Sequence, residues 1–467
     1  MTTRRSLGLV CLIATLHALF FIWYQRPDWN TQWSDQEGYR RLGRVLADTG
    51  KFTRFPDAPQ FAPEVIRTPV YPMFVASVYR LIGGSQLAVA LSQTVVFVLI
   101  CITVFAIGRK IAGDTIALCA AAAVALYAPL PYFAALVMTE TWTTLMFTAS
   151  IWMTVRAVHA RGVKPFAWLG FLAALTALSR PVFVLFPFAL AAIGLAVFPL
   201  LGVRGRGSPR QWVTMLAVFA VTMLPWFTYN YVTLGRFTLS PAGGVGRGLW
   251  EGSWQAAWSG RLQNELTHLA DDVRDRAELD RRVEAIAARE HLPAARMLEY
   301  VHQWQDIRGI WDTPTDPNAR VLARVEADRE YQRVAIENIR HDTPMHLARR
   351  LARGVFVLWT GEIPFRYSDI NRLPAAVIRA CWAIQTVIFG LAVAGLVALA
   401  RRGHIAHACL LGAPIVYITA VHFPLLTEAR QSLPAQPIVL LLATIGAAQL
   451  TGRSLPLEPQ VHEREHV

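Results

Sequence analysis

The residues best suited to chemistry in this sequence lie in its first polar stretch: Asp35 and Glu37, then Glu64 and Arg67. Ser34 followed by Glu37 has the spacing of a capping box, which predicts a helix with Asp35 in its first turn. A carboxylate there is stabilised as the anion by the backbone dipoles, and an anionic carboxylate accepts a proton or binds a cation. The cap already accounts for Glu37 but does not need Asp35. An arginine at a water–lipid boundary, as Arg67 would be, suits a phosphate because its planar fork donates two parallel hydrogen bonds. It would equally suit lipid headgroups.

Other ionisable residues stand where apolar runs begin or end: Glu140, Arg180, His422, Glu428 and Arg430. Such groups are costly at a membrane edge unless paired or functional. One reading pairs Glu140 with Arg180 to lock helices; the other gathers these residues at a shared site. His422 reads as an ordinary boundary histidine or as a contact to a donor substrate.

The frame that must position them is a membrane frame. The 467 residues are 54% hydrophobic and 16% charged, and the apolar residues gather in blocks long enough to cross a bilayer. A spanning helix needs about 20 such residues, because nothing in the hydrocarbon satisfies its backbone. The expected class is an all-α polytopic membrane protein with about ten spans, at 7–24, 87–107, 113–132, 135–155, 166–180, 182–202, 212–233, 376–399, 405–425 and 431–450. A piece at 354–375 that touches or re-enters the membrane would raise the count to twelve. The first block is longer than a signal core and lacks a small-x-small cleavage site, so it reads as a retained span. The cysteines Cys11, Cys101, Cys119, Cys381 and Cys409 all fall in apolar blocks without metal-ligand or redox spacing.

The net charge of +13 would suggest nucleic acid in a soluble protein, but its distribution argues against that partner. Residues 236–372 hold 20 basic and 20 acidic side chains, so the excess lies elsewhere. Much of it sits in short turns: Arg109 and Lys110; Arg156, Arg161 and Lys164; Arg204, Arg206 and Arg210; Arg401 and Arg402. The positive-inside rule then puts both termini in the cytoplasm of a multi-pass inner-membrane protein. A first loop (25–86) and a larger segment (234–375) fall on the outer, periplasmic side. The expected organisation is a transmembrane module at 1–233, an extracytoplasmic segment at 234–375, C-terminal spans at 376–450 and a cytoplasmic tail at 451–467. Helices are predicted at Leu262–Leu292 and Ala319–Arg340 from their apolar spacing. The helix after Ser34 sets Tyr39, Leu42, Val45 and Leu46 against Arg40, Arg41 and Arg44, and is expected to lie flat on the membrane.

The run from Asp35 through Tyr39 to Arg67-Thr-Pro-Val-Tyr-Pro resembles the first extracytoplasmic loop of the C-type (GT-C) glycosyltransferases, more narrowly the bacterial relatives of protein mannosyltransferases and of the lipid A aminoarabinose transferase. Leu136-Val-Met-Thr-Glu140-Thr-Trp is similar to their acidic motif opening a span, and Leu175-Thr-Ala-Leu-Ser-Arg180-Pro to their Thr-Arg-Pro turn. Leu224-Pro-Trp-Phe-Thr-Tyr-Asn230, Gly248-Leu-Trp-Glu-Gly252 and Glu428-Ala-Arg430-Gln-Ser-Leu-Pro434 complete the likeness. Ser179, Tyr229 and Gln431 depart from the usual Thr, Arg and Tyr.

The resemblance implies a GT-C fold and inverting transfer of one sugar from a polyprenyl-phosphate donor to an acceptor hydroxyl on a glycolipid, glycan or protein. It implies Asp35, with Glu37, as catalytic carboxylates, and Arg67, Arg180 and Arg430 as donor phosphate partners, with Arg67 first among them. Tyr39, Glu140, His422 and Glu428 are further site candidates, and Glu64 would hold a divalent metal ion whose identity oxygen ligands alone do not fix. The other readings weighed are a secondary transporter, an O-antigen ligase or polymerase using a lipid diphosphate-linked glycan, and a non-catalytic scaffold.

Overall fold

The computed structural model describes residues 3–30, 34–203, 207–365 and 373–452, and every regular element among them is helical. Among the described residues, seven helices are long and apolar enough to cross a membrane: Thr3–Gln25, Gln86–Leu126, Pro181–Leu200, Pro209–Leu234, Ala375–Arg401, Ile405–His422 and Ala429–Leu450. Their large exposed side chains, such as Leu12, Leu16, Phe20, Val221, Val232, Ile384 and Val387, are apolar. In water that surface would drive aggregation; in a bilayer it is the surface that meets lipid.

The 41-residue element Gln86–Leu126 is too long for one crossing, at about 1.5 Å per residue. It folds back at Gly113, whose φ of 82° is open to glycine but strained for other residues. The halves then run side by side: a Cβ on Gly108 would lie 3.0 Å from the Ala117 Cα. Residues 87–107 and 113–132, expected as two spans, are thus the arms of one hairpin, whose second arm ends at Leu126 ahead of the short helix Pro129–Ala134.

Two expected spans fall below that length and hydropathy. Lys164–Ser179 has 16 residues, and Glu140–Ala157 carries Thr141, Thr143, Thr144, Thr148 and Thr154. All five threonines are buried, so the bundle and not lipid surrounds that polar face. The pair of extra spans considered at 354–375 does not form among the described residues. Instead the helix Pro344–Phe356 runs into a wide turn, Val357–Gly361, that packs on the bundle: Trp359 stacks on Phe389 and donates through Nε1 to Thr419 Oγ1 at 2.9 Å. Residues 366–372, Arg204 and Arg206, and the tail from 453 onward lie outside the described residues.

The bundle has two distinct ends. At one, Thr3 Oγ1 donates to Asp114 Oδ2 at 3.0 Å, Arg109 pairs with Asp114 at 2.9 Å, and Gln211 Nε2 donates to the carbonyls of Ala160 and Gly162. Arg402 binds Gln449 there, so the basic turns share one end. At the other end sit the helices of the first loop, Ser34–Thr49 and Val70–Leu81. The side chain of Ser34, and with it the predicted cap, lies outside the described residues. The apolar face of Ser34–Thr49, expected to rest on the membrane, is covered by protein: Leu42 and Val45 are buried, and a Cβ on Gly43 would lie 2.5 Å from a Val75 methyl. Gln36 pins this helix to the bundle by accepting from Val137 N at 3.1 Å and from Gln86 Nε2 at 3.3 Å.

The segment after Leu234 is a helical body, Val245–Trp254, Gly260–Asp272, Arg276–Glu290, Ala294–Asp312 and Pro317–Arg340, around a core of Trp250, Trp254, Trp258, Tyr300, Trp304 and Tyr331. The predicted helix Leu262–Leu292 is split at 273–275, where Asp275 caps the second piece by accepting from Glu278 N.

Among the described spans, the closest approach that a glycine permits joins Ala375–Arg401 to Ala429–Leu450, where a Cβ on Gly446 would fall 2.0 Å from the Leu391 carbonyl oxygen. Small residues let membrane helices meet at backbone distance. Gly446→Leu is expected to lower the melting temperature in detergent by several degrees, at a cost of about 1–3 kcal/mol or more. Gly390→Leu, at a position with nothing within 4 Å, should leave it unchanged.

Candidate active site

Ionisable groups from four parts of the chain meet at the end of the bundle opposite the basic turns. Asp35 stands on the first turn of Ser34–Thr49. Arg180 caps the C-terminus of Lys164–Ser179 in an extended conformation (φ −150°, ψ 111°), because Pro181 bars the helical conformation from the residue before it. Glu140 begins Glu140–Ala157, and Glu428 and Arg430 lie on the 3-10 turn leading into the last span. Gln431 shapes that turn: its Oε1 accepts from Glu428 N at 3.1 Å and its Nε2 donates to Leu426 O at 3.0 Å. Gln431 thus has a structural task.

The charges alternate. Arg430 Nε donates to Glu428 Oε2 at 2.6 Å, and its Nη1 lies 3.9 Å from both Asp35 Oδ2 and Glu140 Oε1. Arg180 Nη2 is 3.6 Å from Glu140 Oε1. Arg67 Nη2 is 3.8 Å from Asp35 Oδ1. The contacts to Asp35 are longer than hydrogen bonds, so two arginines flank the carboxylate without occupying its lone pairs. Its side chain is 57% exposed, against 2% for Glu140 and 7% for Arg67.

Asp35, Arg180, His422, Glu428 and Arg430 line a cavity of about 1080 Å³ between the span ends and the helical body. Val182, Val184 and Leu185 form an apolar wall on the bundle side, and Arg247, Glu251, Gln255, Asn264 and Thr267 face it from the helical body. Arg67, expected first among the phosphate partners, is not on this wall. It is buried behind Asp35 with its guanidinium 4.7 Å over the Tyr39 ring. Burial pushes Tyr39 up to about 12, against the pull of Arg67, so its hydroxyl stays protonated at neutral pH and is no base. His422 uses Nδ1 on the Ile418 carbonyl at 2.9 Å. Glu37 points away from the cluster to Arg40 at 3.6 Å.

The residues present do not fit a metal ion at Glu64. Its Oε1 accepts from Ile66 N and Arg67 N at 2.9 and 3.3 Å, and its Oε2 meets Arg54 Nε at 2.5 Å. Among the described residues no three His, Cys, Asp or Glu side chains converge as a metal site.

Sequence reasoning missed Gly38 and the cavity residues of the helical body. A Cβ on Gly38 would lie 2.1 Å from Arg67 Nη2, so the arginine crosses the helix where a side chain is lacking. Arg247 pairs with Glu251 at 3.0 Å and lies 4.7 Å over the Trp304 ring. The signal for that helix was its glycines: a Cβ on Gly246 would collide with the Asp328 carbonyl oxygen, and one on Gly252 with the Pro424–Leu425 backbone. Leu426 N donates to Gly248 O at 2.7 Å, which ties the helical body to the Glu428 turn.

Residues 66–233 match the family model described as dolichyl-phosphate-mannose-protein mannosyltransferase. The structure resembles the oligosaccharyltransferase of Archaeoglobus fulgidus in its apo form, with TM-score 0.55 and 13% identity over 97% of this chain and 51% of that one. The chain has the GT-C glycosyltransferase fold. It is similar in the same way to the Archaeoglobus fulgidus enzyme AglB in complex with an inhibitory peptide and a dolichol-phosphate, with TM-score 0.54 and 14% identity over 96% and 50% of the two chains. The chain thus spans about half the length of these oligosaccharyltransferases. ArnT from Cupriavidus metallidurans bound to undecaprenyl phosphate aligns with TM-score 0.41 and 15% identity over 95% of this chain and 78% of that one. No curated protein matches the chain. The expected fold class, an all-α membrane protein with a GT-C fold, therefore holds.

The Gly38 crossing is directly testable. Alanine is the better helix former by about 1 kcal/mol, which offsets part of the cost of displacing Arg67, so Gly38→Ala should still fold. Displacing Arg67 by an ångström or more should nevertheless lower glycosyl transfer from a lipid-linked donor by about 100-fold. Wild-type turnover in that variant would mean that Arg67 needs no such place.

Proposed function

We propose that this protein transfers a single sugar from a polyprenyl-phosphate donor to an acceptor hydroxyl, with inversion, at the outer face of the cytoplasmic membrane. The observation that carries the reading is one cavity edged by the half-exposed carboxylate of Asp35 and the guanidinium groups of Arg180 and Arg430. Its apolar wall of Val182, Val184 and Leu185 suits the first units of a lipid chain, and its position at the span ends suits a phosphate held at headgroup depth. The dolichol-phosphate bound by the archaeal enzyme of the same fold supports a donor of this class. The basic turns at the opposite end support cytoplasmic termini and an outward-facing site.

In the proposed step Asp35 takes the proton of the acceptor hydroxyl as its oxygen forms a bond to the anomeric carbon. The bond from that carbon to the phosphate oxygen breaks, and the electron pair stays on the phosphate, which gains one negative charge. Arg180 and Arg430 are the prearranged cations for that charge. Asp35 supplies about 100- to 10,000-fold as general base. No part of the step is routed through a metal.

Asp35→Asn should insert and fold as the wild type does and lose about 100-fold or more of transfer from a purified polyprenyl monophosphosugar. Full activity in that variant would remove Asp35 as the base. Consumption of diphosphate-linked oligosaccharide alone would instead overturn the donor assignment.

A further inference from the structure

Glu64 is where this chain parts from the metal that its resemblance implies. Its carboxylate has no exposed surface, and an isolated buried carboxylate is untenable without a positive partner. From the geometry we infer that Arg54 is the resident cation of the first loop: it fills the place a divalent metal would take beside Glu64, and Glu64 is the positioning residue that holds Arg67 against Asp35. The inference rests on the reading of Asp35 as general base.

The loop is built to bring Arg54 and Glu64 together. Glu64 N donates to Phe52 O at 3.0 Å, Phe55 N donates to Thr53 Oγ1 at 2.9 Å, and Thr53 Oγ1 binds the Ala62 carbonyl. These bonds close residues 52–64 into a ring whose inner edge sets the two side chains face to face. Phe52 anchors the ring against Trp226 and Tyr229, with ring centroids 5.2 and 6.2 Å away. On the far side Arg324 of Pro317–Arg340 lies 4.3 Å over the Trp311 ring. Burial, with Arg54 and Arg67 close by, lowers Arg324 to about 10 while Glu64 opposes the shift. Glu64 therefore sits among the guanidinium groups of Arg54, Arg67 and Arg324. A divalent ion brought here would meet that excess of positive charge, and hard cations need about six oxygen ligands besides.

The consequence reaches Asp35 through two links. Glu64 Oε1 accepts from the backbone N–H groups of Ile66 and Arg67, which fixes where the Arg67 side chain starts, and lies 3.8 Å from Arg67 Nη1. The other arm of Arg67 lies at the same 3.8 Å from Asp35. One guanidinium is thus shared between two carboxylates, and Arg54 decides the sharing. Without Arg54, Glu64 would lose its nearest cation and draw Arg67, already 3.8 Å away, toward itself and away from Asp35.

The test uses the full-length protein, purified without a polyhistidine tag, with a polyprenyl monophosphosugar as donor. After dialysis against a chelator, the wild type should keep its turnover, respond to neither added zinc, manganese nor magnesium, and contain no stoichiometric divalent metal by elemental analysis. Arg54→Met should lower kcat by about 100-fold with KM for the donor unchanged, and Arg54→Lys should restore most of it. Activity that falls on chelation and returns with a divalent ion, a stoichiometric metal in the wild type, or wild-type kcat in Arg54→Met would each overturn the inference. If Arg54→Met does not fold, recovery of kcat in Arg54→Lys supports the assignment and its failure overturns it. If the wild type turns over no such donor, the base reading fails separately. Metal content then decides: a metal-free folded protein supports Arg54 as the cation, and a bound stoichiometric ion excludes it.

Discussion

A charge at the end of an apolar helix bundle is tolerated only with an opposite charge beside it, and the arrangement around Arg430 answers that constraint. Arg430 stands between Glu428, Glu140 and Asp35, Glu140 also faces Arg180, and Asp35 also faces Arg67. The three arginines and three carboxylates cancel, so the cluster is neutral before any substrate arrives. Because Arg430 and Glu140 have partners on different elements, the network ties the turn before the last span to Ser34–Thr49, to Glu140–Ala157 and to the end of Lys164–Ser179. Removing a buried member such as Glu140 leaves its partners unmatched, which costs more than the pair itself contributes, whereas the half-exposed Asp35 is not so constrained.

Close backbone packing makes that network possible. Arg67 reaches Asp35 across Gly38, and the Glu428 turn is held in place by the helix Val245–Trp254, which approaches it at Gly252. Buried amides continue the work inside the bundle. Tyr127 Oη donates to Gln385 Oε1 at 2.9 Å, Gln385 Nε2 donates to Gln436 Oε1 at 3.4 Å, and Gln436 Nε2 donates to Ser432 Oγ at 2.9 Å. This chain starts two residues from Arg430 and ends on two other spans. A fully satisfied polar chain in a low-dielectric interior is stiff, which is what a group that must wait for a phosphate requires.

The class of fold and the end at which the charges gather were legible in the sequence because both are one-dimensional signals. Apolar blocks report spans, Glu140, Arg180, Glu428 and Arg430 each sit beside the end of such a block, and Asp35 lies in the polar stretch that follows the first one. What the sequence hid was distance across the bundle. Arg67 and Arg180 look alike as arginines near a proline, yet only Arg180 reaches the cavity wall, because Pro181 extends the backbone there while Arg67 is folded under Tyr39. Glu64 looks like an available oxygen ligand until Arg54 is seen against it. The apolar face of Ser34–Thr49 reads equally well as lipid-facing or core-facing, since periodicity records which side is apolar and not what covers it. Gly38 carries no periodic signal at all.

Charge conservation explains why a neutral cluster suits the proposed reaction. As Asp35 takes the acceptor proton it loses a negative charge, and in the same step the departing phosphate gains one. The total in the cavity does not change; the charge moves from the carboxylate to the phosphate. Arg430 lies between the two, with Nη1 3.9 Å from Asp35 and its side chain on the cavity wall. Protonation of Asp35 weakens one of its attractions at the moment the phosphate offers a stronger one, so its guanidinium need only shift partner. Among the described residues the buried Arg180 Nη1 has no hydrogen-bond partner, so it is a donor not committed elsewhere. Stabilisation that is in place beforehand and strengthens only as the bond breaks lowers the barrier without tightening the ground state.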